Sequence, residues 1–159
     1  MKGDSGPGSG SVDRGWSLRV EAYSREGAKV YSGRHAFEVS KQLSFADEVD
    51  KPSAVEYFLG AVGGDLVSGF RTQAARNGVE IDGLELTISG RLGNPLVPLG
   101  VIGAQGNPGF ESISATLYVS SEADEQRIRG IWRSTVEVSP LVKTLEGCVK
   151  LSLELRVTP

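Results

Sequence analysis

The sequence predicts an α+β fold in which antiparallel sheets pack on one long central helix, and three observations carry that prediction. Apolar and polar residues alternate with period two in several short stretches, the mark of half-buried strands. One run, residues 53–77, instead repeats its apolar residues at three- and four-residue steps, the mark of a helix. The segments run strands, long helix, strands, helix, strand, with no internal repeat, which is an α+β order. At 159 residues the chain suits one domain. That domain is expected over residues 16–159, behind a lead at residues 1–15. Met1 to Ser11 is rich in Gly, Ser and Pro and lacks the apolar segment of a signal peptide, so the lead is read as disordered.

The first strand is Trp16-Ser17-Leu18-Arg19-Val20-Glu21-Ala22-Tyr23, which alternates throughout. A turn at Arg25-Glu26-Gly27 leads into Ala28 to Tyr31, and Arg34-His35-Ala36-Phe37-Glu38-Val39 alternates again. Residues 16–40 therefore read as an antiparallel meander. Lys41 to Lys51 is polar and reads as a surface connection. Ser53 and Glu56 have capping-box spacing and open the long helix. Val55, Phe58, Leu59, Val62, Leu66 and Phe70 form its apolar stripe, while Gly60, Ala61, Gly64 and Ser68 make a second, small-residue face. A helical glycine costs about 1 kcal/mol against alanine, so that face predicts close backbone approach and a helix buried on two sides.

Leu84 to Ser89 and Ile113 to Val119 are the next strands. Between them Leu92 to Phe110 is a long Gly/Pro-punctuated loop, whose Leu96, Val97, Leu99, Val101 and Ile102 are expected to cover a pocket or a neighbouring subunit. Ser121 is expected to cap a second helix, with Glu122, Asp124 and Glu125 in its first turn and Ile128, Ile131 and Trp132 as its buried stripe. Ser139-Pro140 ends it, a turn follows, and Val149 to Val157 is the last strand.

Composition narrows the function classes. Net charge is −3, so there is no basic field for nucleic acid or anionic lipid. No apolar run approaches the roughly 18 residues of a membrane span. With a single cysteine and a single histidine the chain has neither an intrachain disulfide framework nor a Cys/His zinc set. No cofactor or metal is expected, and a cytoplasmic, bacterial-type protein fits best.

The segment Pro52-Ser53-Ala54-Val55-Glu56-Tyr57-Phe58-Leu59-Gly60-Ala61-Val62-Gly63-Gly64-Asp65 resembles the signature helix of the OsmC/organic hydroperoxide resistance family. There a run such as P-N-P-V-E-Y-L-L-A-A-L-G-G-C ends at the reactive cysteine. Asn107-Pro108-Gly109-Phe110-Glu111-Ser112-Ile113 is similar to the "R-P-G-F-Q-S-I" of one OsmC-like subgroup. Ser139-Pro140-Leu141-Val142-Lys143-Thr144-Leu145 is similar to that subgroup's "S-P-V-x-D-T-L", where other members carry a second cysteine in "C-P-V". Arg34 to Val39 looks like the strand before the family's connecting loop. The resemblance covers residues 16–159. It implies an OsmC-like fold, an intertwined homodimer with two long helices at its core, and sites at the subunit interface. It also implies thiol-dependent reduction of organic hydroperoxides, with an arginine and a glutamate activating the first cysteine.

By the same resemblance Asp65 and Ser139 occupy the two cysteine positions. Neither can become a sulfenic acid, so the family's chemistry is expected to be lost. Two readings of Asp65 stay open: a carboxylate filling a vacated, partly wet site, or a general acid/base whose pKa burial has raised. Glu56 matches the motif glutamate, although its capping role explains it without catalysis. Arg34 is the candidate for the activating arginine, and Arg34 or Arg76, if it reaches Asp65, would form an ion pair with it instead of an activated base. His35, Phe58 and Ser139 are assigned to the pocket, with His35 either a satisfied core or interface residue or a proton-sharing neighbour of Asp65. Tyr57 and Trp132 read as core or interface aromatics. Cys148 is placed on the polar face of the last strand as an incidental thiol. Gly103, Gly106 and Gly109 mimic a phosphate-loop spacing without its strand-to-helix context. Three functions follow in order of preference: a non-peroxidase that binds a small hydrophobic molecule, a non-redox enzyme using Asp65, and a residual peroxide reductase using Cys148.

Overall fold

Phe110 to Ser120 has the most completely buried face in the chain: Ile113, Ala115, Leu117 and Val119 are all buried on one side of the strand. The computed structural model describes residues 15–23, 27–40 and 51–158. All of the expected lead except Gly15, and most of the 41–51 connection, lie outside the described residues, as do residues 24–26 of the first turn. Along the chain the elements are β1 (Arg19–Ala22), β2 (Ala28–Ser32), β3 (His35–Val39), α1 (Ala54–Arg76), β4 (Gly83–Leu92), β5 (Phe110–Ser120), α2 (Glu125–Val138), α3 (Pro140–Leu145) and β6 (Lys150–Thr158). They form two three-stranded sheets, ordered β1-β2-β3 and β4-β5-β6. The α+β fold class is thus as the sequence predicts.

The second sheet departs from the expected antiparallel arrangement. β4 runs antiparallel to β5, but β6 pairs with β5 in parallel, Ser112 opposite Lys150 through Ser120 opposite Thr158. The reason is the connection: α2 and α3 lie between β5 and β6, and a helical crossover returns the chain to the same end of the sheet. Leu84, Leu86 and Ile88 of β4 and Leu151, Leu153, Leu155 and Val157 of β6 extend the buried face of β5 on either side. Val62, Leu66 and Phe70 of α1 and Ile128, Ile131 and Trp132 of α2 cover that face, with the Phe70 and Trp132 rings 6.5 Å apart. Each such side chain contributes about 1.5–3 kcal/mol on burial.

Helix α1 has sequence-coded stops at both ends. Ser53 and Glu56 close the capping box reciprocally. At the far end Asn77 is the C-cap and Gly78 takes φ +62°. Gly78 N–H bonds Ala75 O and Val79 N–H bonds Ala74 O, the double bond of a Schellman end. The close approach expected from glycines occurs on a different face from the one predicted. A Cβ on Gly63 would sit 3.2 Å from Leu86, and one on Gly69 would sit 3.3 Å from Thr135, so these two seat α1 on β4 and on α2. Gly60, Ala61, Gly64 and Ser68 are exposed instead.

The second helix begins later than expected. Asp124 is its N-cap, accepting from the N–H groups of Gln126 and Arg127. Ser121 instead donates to Glu80 O and accepts from Ala123 N–H, tying the end of β5 to the segment before β4. After Ser139 the chain forms α3 rather than a simple turn, with Pro140 in its first turn. Cys148 lies in the turn before β6, exposed, and not on the strand.

The first sheet meets the rest of the described chain at the start of α1. Ser40 N–H bonds Pro52 O, and the Phe37 and Tyr57 rings lie 4.9 Å apart. Elsewhere in the sheet Val20 is 60% exposed while Val30 and Val39 are half-buried, and Trp16, ahead of β1, is 86% exposed. The β2–β3 hairpin turns on Gly33 and Arg34, with positive φ at Gly33 alone, the pattern of a type II′ turn. The loop between β4 and β5 is pinned at its base, where Gly93 N–H bonds Gly109 O, Asn94 N–H bonds Asn107 O and Asn94 Nδ2 bonds Gln105 O. Of its apolar residues Ile102 is fully exposed, Leu96 and Val101 are exposed, and Val97 and Leu99 are half-buried.

Candidate functional site

Two of the predicted site residues, 74 positions apart, are brought into contact. Asp65 lies near the middle of α1, half-buried, and Ser139 lies at the junction of α2 and α3, 4% exposed. Ser139 Oγ donates to Asp65 Oδ2 across 2.5 Å. The same oxygen accepts the Val142 N–H at 3.0 Å, so it also caps α3. A hydroxyl has one proton to give, and here it is committed to the carboxylate. Ser139 is therefore a buried connector between α1 and α3. Asp65 keeps its other oxygen, which accepts no hydrogen bond from the described residues. The pair can hold or receive a proton, but it contains no sulfur to oxidise.

Glu56 is nine residues earlier on α1, about 13 Å along the helix axis from Asp65. Its Oε2 accepts both the Ser53 N–H and the Ser53 hydroxyl at 2.7 Å. The backbone bond first, and the hydroxyl bond second, hold its carboxyl below the usual 4.5, against a small opposing effect of burial. Glu56 thus performs the capping role, and it does not touch Asp65.

Arg34 sits in the exposed β2–β3 turn and His35 is exposed at the start of β3. Among the described residues neither bonds Asp65. Phe58 stacks on Phe110, ring centroids 5.5 Å apart, beside Gly90, whose missing Cβ leaves room for the Phe110 ring. The predicted residues therefore fall into separate places: the Asp65–Ser139 pair, the capping Glu56, the hairpin tip and the Phe58–Phe110 stack.

A groove of about 470 Å³ opens beside the first turns of α1, lined by Phe37, Pro52, Glu56, Tyr57, Gly60 and Ala61. It lies within the size range of small-molecule sites, with aromatic walls and one carboxylate. The sequence reading assigned these residues to a strand, a cap and a small helix face without joining them. A signal was present: Gly60 and Ala61 follow Glu56 and Tyr57 by one helical turn, so small side chains leave a hollow next to an aromatic. A second cavity, of about 120 Å³, lies at the other end of α1 among Gly78, Glu80, Asp82, Ser121 and Arg127. Neither cavity is lined by Asp65 or Phe58. Among the described residues no cluster of His, Cys, Asp or Glu is placed to hold a metal ion, and no helix is long and apolar enough to cross a membrane.

A long glycine-bearing helix laid over a mixed sheet, with a small separate sheet at its start, defines an OsmC-type α+β architecture. The sequence profile described as "OsmC-like protein" matches residues 46–154, and the chain belongs to that family. An OsmC-like protein from Mycoplasma pneumoniae shares the fold with a TM-score of 0.74 at 15% identity, over 92% of this chain and 98% of that one. An organic hydroperoxide resistance protein OsmC from Legionella pneumophila has a TM-score of 0.64 at 14% identity, over 91% and 100%. The organic hydroperoxide resistance protein OhrB of Bacillus subtilis has 0.60 at 17%, over 90% and 98%. No protein of curated function matches in sequence.

Proposed function

We propose that this OsmC-like protein is a non-peroxidatic member of its family that binds a small apolar molecule. The carrying observation is the groove of about 470 Å³ with Phe37 and Tyr57 in its walls. The similarity to proteins named for organic hydroperoxide resistance supports a setting in the response to organic hydroperoxides. Asp65 and Ser139 stand, on this reading, where relatives carry cysteines, and their direct contact supports that placement because a peroxidatic and a resolving thiol must meet. The working form is a homodimer. The exposed Gly60, Ala61, Gly64 and Ser68 of α1 support this, because small residues let two helices approach closely, as do the uncovered apolar residues of the first sheet. Partner contact centred on Gly64 and Ser68 leaves the Gly60–Ala61 end to form part of an interface pocket.

The test is titration of the full chain with the neutral fluorophore N-phenylnaphthylamine. Saturable binding is expected in the wild type and its loss in Ala61→Trp, which fills the groove from an exposed helix position. Equal binding by both proteins, or none by the wild type, overturns the proposal. With a dithiol reductant the wild type is expected to consume no organic hydroperoxide. If it does, loss of that turnover in Cys148→Ser revives the peroxidase reading. Acid–base catalysis by Asp65 is the second reading, favoured by the carboxylate oxygen that no described residue bonds. A group titrating in a rate profile and absent from Asp65→Asn would establish it.

A further inference from the structure

We propose that the ligand of the Phe37–Tyr57 groove carries an ammonium group on its apolar body, and that the Glu56 carboxylate receives it. This rests on the groove reading above and adds the chemistry of the ligand's head. The groove offers two kinds of recognition. Pro52, Gly60 and Ala61 are apolar and the rings of Phe37 and Tyr57 stand tilted at 41° to each other, so an apolar body has surfaces to cover. Among the described residues Glu56 is the acidic one of the lining, and no basic residue lines it.

The Glu56 carboxylate is also available. Its Oε2 takes both bonds from Ser53, and Oε1 accepts none from the described residues. Those two bonds fix the side chain and keep it ionised, so a ligand meets a preoriented charge rather than a mobile one. Aromatic faces beside a carboxylate are the chemistry that selects ammonium groups, through ring quadrupoles and a charge-assisted hydrogen bond. The two neighbouring charges do not reverse this: Lys51 is paired with Glu38 on the adjacent strand. The positive end of α1 favours anions, but the capping box already satisfies the Ser53 and Glu56 N–H groups, and a full charge at contact outweighs a partial one.

The experiment is displacement of N-phenylnaphthylamine by three probes of one shape: naphthylmethylamine, naphthylmethanol and naphthoate. The amine is expected to bind about tenfold tighter than the alcohol, and naphthoate weakest. Glu56→Gln is expected to erase the preference for the amine over the alcohol. Glutamine fills the same place in a capping box, so this variant keeps the helix start. Amine and alcohol of equal affinity, tightest binding by naphthoate, or a preference that survives in Glu56→Gln each overturn the ammonium assignment while the groove stands. If neither the fluorophore nor any probe binds the wild type, the groove reading itself falls.

Discussion

Asp65 and Ser139 stabilise each other, and the balance between them is chemically lopsided. The serine hydroxyl gives its one proton to Asp65 and its lone pair to Val142 N–H, so a single atom serves a carboxylate and a helix start. Ser139→Ala removes both services and leaves a half-buried carboxylate oxygen and a buried N–H without partners. The expected loss is about 1–3 kcal/mol, read as a lower urea midpoint with unchanged slope. Glu56 carries a pH dependence. Its carboxyl titrates below 4.5 when folded, so its contribution is complete above that pH and is lost as pH falls through the lowered folded value. The stability gap between wild type and Glu56→Gln is therefore expected to hold from about pH 7 to about pH 5 and to close as pH falls below 4.5. Urea unfolding across that range checks it, and a gap that widens on acidification contradicts the cap geometry.

At the scale of elements, glycines locate the close contacts. A Cβ at Gly90 of β4 would lie 2.3 Å from the Phe110 ring and 3.1 Å from Leu59. Gly90→Ala is expected to push Phe110 off its stack with Phe58, destabilising by about 1–3 kcal/mol despite alanine's better backbone entropy. Thermal unfolding measures this, and an unchanged or raised midpoint contradicts it. Helix α1 was legible to within a residue or two, because its signals are local: the Ser53–Glu56 capping box at its start and the apolar stripe that follows. The start of α2 was not, since Ser121 and Asp124 are both competent caps and only tertiary contact decides that Ser121 bonds Glu80 instead. The direction of β6 was hidden for a similar reason, because alternation sets which face is buried and says nothing about parallel or antiparallel pairing. The contact between Asp65 and Ser139 was approached through the family resemblance alone. The groove went unread because it joins residues from a strand, a turn and a helix.

For the whole molecule, the proposed homodimer would cover the apolar side chains exposed on the first sheet and the bare small-residue face of α1. Gly64→Leu puts a bulky side chain on that face where nothing in the protomer opposes it. The variant is expected to fold but to sediment at half the mass of the wild type, and to lose the wild type's rise of melting temperature with protein concentration. A wild type that sediments as a monomer, with a melting temperature independent of concentration, contradicts the homodimer. The parallel pairing of β6 carries a consequence for how the chain reaches this state. β4 and β5 meet across the loop of residues 93–109, whose base is already knotted by Asn94 and Asn107. β6 can reach its slot beside β5 only after residues 121–149 have wound into their two helices and swung back over the sheet. Contact order thus predicts that the β4–β5 pair forms before the final crossover closes.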